Sequence, residues 1–310
     1  MVKIDLITGF LGSGKTTFIK KYAKYLIDSG ANIGILENDY GAVNVDMMLL
    51  KDLEGENCEL EMIAGGCDAE CHRRRFRTKL IAMGMCGYDR VIVEPSGIYD
   101  VDEFFDVLRD DPIDRWYEIG NVITVVDAKL EEKLSDEADY LLASEAANAG
   151  CIVLSRSQEA EDAEIENTVA HLNHAMEKVQ CKRRFQNDII IKDWETFDNT
   201  DYEKLLSCGY VSENYRKMHI EEGEIFKSLY FMNLDKTKEE ITEAAEKVLE
   251  DRECGNVFRV KGFLKDKEEK WLELNATHQE IRTAPIPEGQ EVVIVIGEEM
   301  NEAKIRGYFS

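Results

Sequence analysis

Apolar positions along the chain keep two different periods, and the places where one gives way to the other outline the architecture. Residues 2–7 form a short apolar run that reads as a buried strand, and Phe18, Ile19, Tyr22, Ala23, Leu26 and Ile27 follow at helical spacing. Further strand-like runs at 32–36, 90–93, 121–126, 151–154 and 188–191 alternate with helical stretches, the order that βαβ units require. The first 206 residues therefore predict an α/β domain with a mainly parallel sheet covered by helices. In such a sheet ligands gather beyond the carboxyl ends of the strands.

Residues 207–223 carry glycine, serine, asparagine and charge with little periodicity, and read as a linker. The remainder, 224–310, has a different order. It contains strands at 224–233, 256–264, 270–275 and 291–296, a helix at 237–250 and a short helix near 301–308. That order predicts a smaller α+β domain built on an antiparallel sheet.

Between the first strand and the first helix lies GFLGSGKTT, a G-x-x-x-x-G-K-[ST] phosphate loop running from Gly9 to Thr17. Gly9 and Gly14 let the backbone turn tightly enough for its N–H groups to converge on a β-phosphate. Lys15 reaches the β/γ oxygens, and the Thr16 hydroxyl is placed to ligate Mg²⁺. The helix behind the loop presents its N-terminus to the phosphates. Gly9, Gly12, Ser13, Gly14, Lys15, Thr16 and Thr17 are the expected nucleotide contacts, and Lys15 is also a candidate catalytic residue. The ligand class is a nucleoside triphosphate.

Composition narrows the setting. The 310 residues hold 63 Asp and Glu against 38 Lys and Arg, a net charge of -25, which argues against a nucleic-acid partner. No apolar stretch approaches the about 18 residues needed to span a bilayer, and no signal-peptide pattern opens the chain, so no membrane association and a cytoplasmic location are expected. Eight cysteines scattered over a chain of this size suit reduced thiols or metal ligands better than a disulfide framework.

A second nucleotide motif stands at YDRVIVEPSGI, residues 88–98, where a strand ends in Glu94 and is followed by Pro95, Ser96 and Gly97. Glu94 is placed to hold Mg²⁺ or to orient the attacking water, and Gly97 to offer an N–H to the γ-phosphate. Asp127, closing another strand, is a weaker acidic candidate that could equally cap the following helix. The segment ENDYGAVNVD at 37–46, with the long stretch to Gly65, has the length of a functional loop and suits a nucleotide switch, with Asp39 as its acidic candidate.

Cys67 and Cys71 stand four apart in GGCDAECHRRRFR. On a helix they would share a face and could bind one ion together, with Glu70, His72 or Asp39 completing a tetrahedral Zn²⁺ or Co²⁺ site. The basic run 72–77 reads first as a solvated helix face, and otherwise as a dock for an acidic client or a neutraliser of phosphate charge from a switch position. His171 and His174 lie three apart on a predicted helix with no third ligand nearby and read as solvent-facing.

Taken together, GFLGSGKTT, NDYGAVNVD, GGC, EPSG and VVDA, with FRVKGFL and EVVIVIGEEMNEAKIRGYF in the C-terminal part, resemble the CobW-type P-loop GTPases, a family related to the GTPases that mature urease and hydrogenase. The resemblance covers nearly the whole chain. It implies a GTPase domain at 1–206, a CobW C-terminal-like domain at 224–310, and Mg²⁺-dependent GTP hydrolysis. It also implies coupling to delivery of a metal ion, or to maturation of a client metalloprotein or corrinoid protein. In this reading Cys67 and Cys71 carry cargo, while Thr16, Glu94 and Asp39 act at Mg²⁺. Self-association is left open.

Two departures qualify what carries over. The family pattern G-G-C-x-C-C is altered here, with Ala69 and Glu70 at the second and third cysteine positions and the remaining thiol at Cys71. Where the family has N-K-x-D, this chain has Ser155, Arg156, Ser157 and Gln158. A neutral amide at Gln158 gives up charge-assisted bonds to guanine worth about 1.5–3 kcal/mol each. GTP is the first expectation and ATP the alternative, with Ser155, Arg156 and Gln158 on the base side and Arg156 available to stack. A nucleotide-gated switch acting on a partner without cargo metal is the competing reading, and small-molecule kinase activity a distant third.

Overall fold

The computed structural model describes the whole chain except residues 40–45, 65–68, 98–100, 132, 187, 219–225, 233 and 288. The chain divides into two compact units, Met1–His219 and Ile220–Ser310.

In the first unit the elements run β1 (Val2–Thr8), α1 (Lys15–Asp28), β2 (Ile33–Asp39), α2 (Asp46–Leu50), β3 (Cys58–Ala64), α3 (Ala69–Gly84) and β4 (Arg90–Pro95). They continue with α4 (Val101–Leu108), α5 (Ile113–Trp116), β5 (Tyr117–Asp127), α6 (Asp136–Ala147), β6 (Cys151–Ser155), α7 (Asp162–Lys178), β7 (Ile189–Ile190) and α8 (Asn199–Leu206). The strands form a seven-stranded sheet in the order β3-β2-β4-β1-β5-β6-β7, and every pairing in it is parallel. The parallel α/β domain expected from the alternating periods is present, with β1 at its centre.

The apolar spacing of α1 explains its docking. Phe18, Ile19, Tyr22, Ala23 and Leu26 are buried against Ile7, Ile33, Ile35, Ile92, Ile123, Val125 and Val153 of the sheet. Burial of this kind contributes about 1.5–3 kcal/mol per large side chain. Strand β3 was not legible as a strand, because its CELEMIA sequence alternates charge with apolar residues inside what reads as a switch loop. As an edge strand it has only one sheet neighbour, and Glu59 and Glu61 can stay at the surface.

A polar knot sits inside this apolar centre. Asp5, fully buried in β1, accepts hydrogen bonds from Arg90 Nη1 at 2.6 Å, Tyr22 Oη at 2.8 Å and the Asn121 backbone N–H at 2.8 Å. The β1–β5 register shifts between Ile4 and Leu6, around Asp5, and a Cβ on the facing Gly120 would lie 2.4 Å from Asp5 Oδ1.

Part of the segment read as a linker is bound to this unit. The Gly209 carbonyl accepts from Val122 N at 2.9 Å, Asn121 Oδ1 accepts from Gly209 N at 2.9 Å, and Arg216 N donates to Val179 O at 2.7 Å. Side chains add to this hold, with Tyr215 Oη donating to Asp102 at 3.2 Å and Tyr210 packed on Phe105, contacts that the segment's polar composition hides.

The second unit contains β8 (Phe226–Met232), α9 (Lys238–Glu250), β9 (Asn256–Lys265), β10 (Trp271–Ala276), β11 (Ile281–Pro285), β12 (Val292–Glu298) and α10 (Glu302–Phe309). Its five strands form an antiparallel sheet in the order β11-β10-β9-β12-β8. Helix α9 opens with a capping box between Thr237 and Glu240, then buries Ile241, Ala244, Ala245, Val248 and Leu249 along one face. Strand β11 has no counterpart among the runs expected from the sequence, because it is an exposed edge strand with no apolar face. Among the described residues no helix is long and apolar enough to cross a membrane.

Removing the Asp5 carboxylate leaves Arg90 buried without its partner. Asp5→Ala is expected to destabilise the first unit by about 3–5 kcal/mol, whereas Tyr22→Phe, which removes the bond to Asp5 and the longer one accepted from Asn121 Nδ2, costs about 1–2 kcal/mol. Urea denaturation followed by circular dichroism measures both.

Candidate functional site

The central strand β1 ends at Thr8, and the chain turns at once through three glycines with positive φ, Gly9 at 148°, Gly12 at 79° and Gly14 at 96°. Gly9 is also sterically forced, since a Cβ there would stand 2.2 Å from the Val125 carbonyl oxygen. Ser13 N closes the turn onto Phe10 O at 3.1 Å. Helix α1 then begins at Lys15 with no capping side chain and no acidic residue in its first turn. Its N-terminal N–H groups are left to an anion, and the loop's geometry fits a polyphosphate. Lys15 Nζ donates to the Gly9 carbonyl at 2.7 Å, so the lysine folds back across the loop it is expected to serve.

On one side of the loop stand carboxylates. Thr16 Oγ1 donates to Glu94 Oε1 at 2.9 Å, joining the phosphate loop to β4. Glu37 on β2 lies in register with Glu94, and both are buried. Burial, reinforced by the charge of Asp46, pushes the Glu94 carboxyl up to about 7, while Lys15 and hydrogen bonds with Glu37 and Thr16 hold it back. Beyond β4, Gly97 abuts the loop itself, because a Cβ there would sit 2.8 Å from Leu11 N. The structure thus brings together Lys15, Thr16, Glu94 and Gly97.

The same side leads to the cysteine element. Ser96 N donates to Asn38 O at 2.8 Å, and Asn38 Oδ1 pairs with His72 Nε2 at 2.6 Å, both side chains fully buried. His72 is therefore not part of a solvated basic face. It fixes the first turn of α3 to β2, and Phe76 one turn later is buried as well. Cys71, the residue before His72, is half-buried, and Glu70 is exposed and paired with Arg74. Cys67 and the Asp39 side chain lie outside the described residues, as does the centre of the NDYGAVNVD segment; the Asp39 backbone pairs in register with Ala64 at the ends of β2 and β3. Among the described residues no three His, Cys, Asp or Glu side chains converge on a metal position. His171, read as solvent-facing, bonds Asp139 Oδ1 at 2.6 Å instead.

On the other side stand the ends of β6 and β7. The position of a Gly14 Cβ lies 3.6 Å from both Ser155 Cβ and a ring carbon of Trp194, which places these two residues against the phosphate loop. Arg156 adopts positive φ, 55°, and its guanidinium is held by Asp127, with Nε 3.0 Å from Oδ1. Asp127 Oδ1 also accepts from Lys129 N at 2.9 Å, so its visible work is to fix the chain after β5. Gln158 is exposed, and its Nε2 donates to its neighbour Glu159 at 3.5 Å.

Three residues of the site escaped the sequence reading: Glu37, Trp194 and Glu145. A signal existed for each carboxylate, a charge inside an otherwise apolar stretch. Glu145 lies in α6, a helix of which ten consecutive residues from Ala138 to Ala147 are buried. Its side chain is fully buried and, among the described residues, neither carboxylate oxygen has a hydrogen-bond partner. Burial pushes its carboxyl up to about 8, with the Lys15 charge opposing.

A glycine-rich loop between the central strand and the first helix of a parallel sheet defines the phosphate-loop class of α/β domains. The family model described as "CobW/HypB/UreG, nucleotide-binding domain" matches residues 3–186, and the chain belongs to that family. Over 160 residues it is 29% identical to the zinc chaperone YeiR of Escherichia coli (strain K12), covering 51% of this chain and 47% of that protein. Over 183 residues it is 25% identical to the zinc chaperone YjiA of the same organism, covering 56% and 55%. The matches thus span about half the length of these curated relatives. The crystal structure of Zn(II)-bound YjiA GTPase from E. coli aligns over 99% of this chain and 98% of that one, at 18% identity and a TM-score of 0.39, a likeness too low to bear on function.

Two outcomes follow from this geometry. Gly97→Ala drives a methyl group into the Leu11 backbone, and is expected to weaken binding of inorganic tripolyphosphate with Mg²⁺ at least tenfold in isothermal titration, an approximate threshold set by the energy of one displaced loop contact. Glu145 and Glu94 both hold protons more tightly folded than unfolded, so their stability contribution is full below the ordinary glutamate range and is lost as pH rises to about 7 and 8. Glu145→Gln removes its share of that loss, and its Tm should exceed that of the wild type at pH 9 by more than at pH 5.

Proposed function

We propose that this chain binds GTP with Mg²⁺ on the phosphate loop, hydrolyses it, and couples nucleotide state to the handling of a metal ion or the maturation of a client metalloprotein or corrinoid protein. The observation that carries the reading is the Thr16–Glu94 hydrogen bond, which ties the loop to the strand whose end also bears Gly97. From that strand the Ser96–Asn38–His72 connection runs to the helix bearing Cys71.

The residues divide the work by position. Lys15 exchanges the Gly9 carbonyl for β/γ-phosphate oxygens, and Gly9, Gly12, Ser13, Gly14 and Thr17 complete the loop. Thr16 and Glu94, with Asp39 as a further acidic group, would hold Mg²⁺. Bound Mg²⁺ neutralises phosphate charge as the transferred group separates. Glu94, buried at the end of β4, is the acidic group that would orient the attacking water. Gly97 offers its N–H toward the γ-phosphate, and Ser155, Arg156 and Gln158 stand on the base side.

YeiR and YjiA carry the name zinc chaperone, which makes Zn²⁺ the first cargo to test on Cys67 and Cys71, and Co²⁺ the second. A switch without cargo is favoured by a different observation: Ala69 and Glu70 stand where the family pattern has thiols, and a basic run follows at 72–77. Exposure of Gln158 keeps ATP as the alternative nucleotide.

The test is a matched titration of GTP and ATP with Mg²⁺, with phosphate release and metal affinity measured alongside. Lys15→Ala should abolish binding of both nucleotides, and Glu94→Gln should lower kcat by about 10²-fold or more. The Cys67→Ser, Cys71→Ser double variant should lose Zn²⁺ affinity while keeping GTP hydrolysis. Unchanged Zn²⁺ affinity in that variant, with and without nucleotide, would leave the partner switch as the function.

A further inference from the structure

The residues that ordinarily read the base are poorly placed to do so here, and Trp194 stands where they are missing. Arg156 is engaged with Asp127, and Gln158 faces solvent beside Glu159. Trp194 opens the turn Trp194–Thr196, just after β7 at the carboxyl end of the sheet. One corner of its indole reaches to 3.6 Å from the Gly14 Cβ position, and Ser155 Cβ lies at the same distance. The ring meets Phe18 of α1 edge-on, with centroids 5.3 Å apart and planes at 69°, and the residue remains partly exposed.

Two polar atoms around this point are idle. Trp194 Nε1 and Ser155 Oγ are both buried, and among the described residues neither has a hydrogen-bond partner. Buried polar atoms are ordinarily bonded, so the unpartnered Ser155 hydroxyl beside Gly14 points to a polar ligand, while the indole N–H, in the ring plane, leaves the ring face to an aromatic one. The turn carrying Trp194 is anchored through Glu195. Asp193 Oδ1 accepts from Glu195 N at 2.9 Å, and Glu195 Oε1 accepts from Lys21 Nζ at 2.6 Å, which fastens the turn to α1.

Electrostatics fix which end of a nucleotide comes here. Glu37 and Glu94 gather on the β2–β4 side of the loop, where Mg²⁺ and the γ-phosphate would be held. The nucleoside then extends the other way, over β6 and β7, toward Ser155 and Trp194. Resting on the phosphate-loop reading above, we propose that Trp194 is the wall on which the purine of the bound nucleotide stacks, with the Ser155 hydroxyl as a polar contact. Stacking is tolerant of base identity because every base has a π-face. A base held this way is accepted as guanine or adenine with little discrimination.

The experiment measures GTP, ATP and inorganic tripolyphosphate affinities, each with Mg²⁺, by isothermal titration on the full chain and on Trp194→Leu. The variant should weaken GTP and ATP by about tenfold each, keep their ratio, and leave tripolyphosphate unchanged. Equal weakening of tripolyphosphate would make Trp194 a support of the phosphate loop only and overturn the proposal, as would unchanged GTP and ATP affinity. Should the leucine variant not fold, Trp194→Phe decides. The chain has three tryptophans, Trp116, Trp194 and Trp271, and GTP should quench wild-type emission. The phenylalanine variant should bind GTP about as tightly and lose that quench; no quench in the wild type, or one that survives the substitution, overturns stacking. A wild-type chain that binds none of the three ligands would refute the phosphate-loop reading itself.

Discussion

The site depends on how closely backbones can approach around the phosphate loop. Gly9 lies against the Val125 carbonyl, Gly97 against the Leu11 backbone, and Gly14 beside Ser155 and Trp194. The first two contacts leave no room for a Cβ, and the third position also has positive φ. These glycines serve more than flexibility. They let three strand ends, β4, β5 and β6, press on one loop, so that movement of the loop is felt at each of them.

Charge is distributed unevenly around that loop. Glu37 and Glu94 lie buried on one side and Glu145 is buried nearby, with Lys15 the cation whose charge both Glu94 and Glu145 feel. The arrangement is tolerable because Glu94 and Glu145 hold their protons well above the ordinary glutamate range. Positive charge brought to the loop would favour ionisation of these acids, and nucleotide alone would not. Hydrogen bonds from β4 through Ser96 and Asn38 to His72 connect this side of the loop to α3.

Much of this was legible in the sequence because it rests on local spacing. The phosphate loop, the Glu94-to-Gly97 turn and the alternating βα order all follow from short patterns, and the antiparallel second unit follows from the order of its runs. What stayed hidden depends on long-range contact. His72 reads as part of a basic helix face, yet it is buried because Asn38, 34 residues away, receives it. Glu145 sits in an alanine-rich helix whose burial on all sides only the fold reveals. Trp194 carries no motif, and its place beside Gly14 comes from a parallel sheet that brings the ends of β6 and β7 to the loop.

The extended segment after α8 has a consequence for where the first unit ends. Gly209 donates to Asn121 and accepts from Val122, while Gly150 lies so close that a Cβ there would fall 2.2 Å from the Gly209 carbonyl oxygen. Asn121 is itself one of the groups that hold the Asp5 carboxylate. A polypeptide terminated at Leu206 would keep every helix and strand of the nucleotide-binding sheet, yet it would open one wall of the polar knot at its centre. The smallest piece that preserves the interior therefore extends past the last regular element, and its boundary is written in hydrogen bonds rather than in composition.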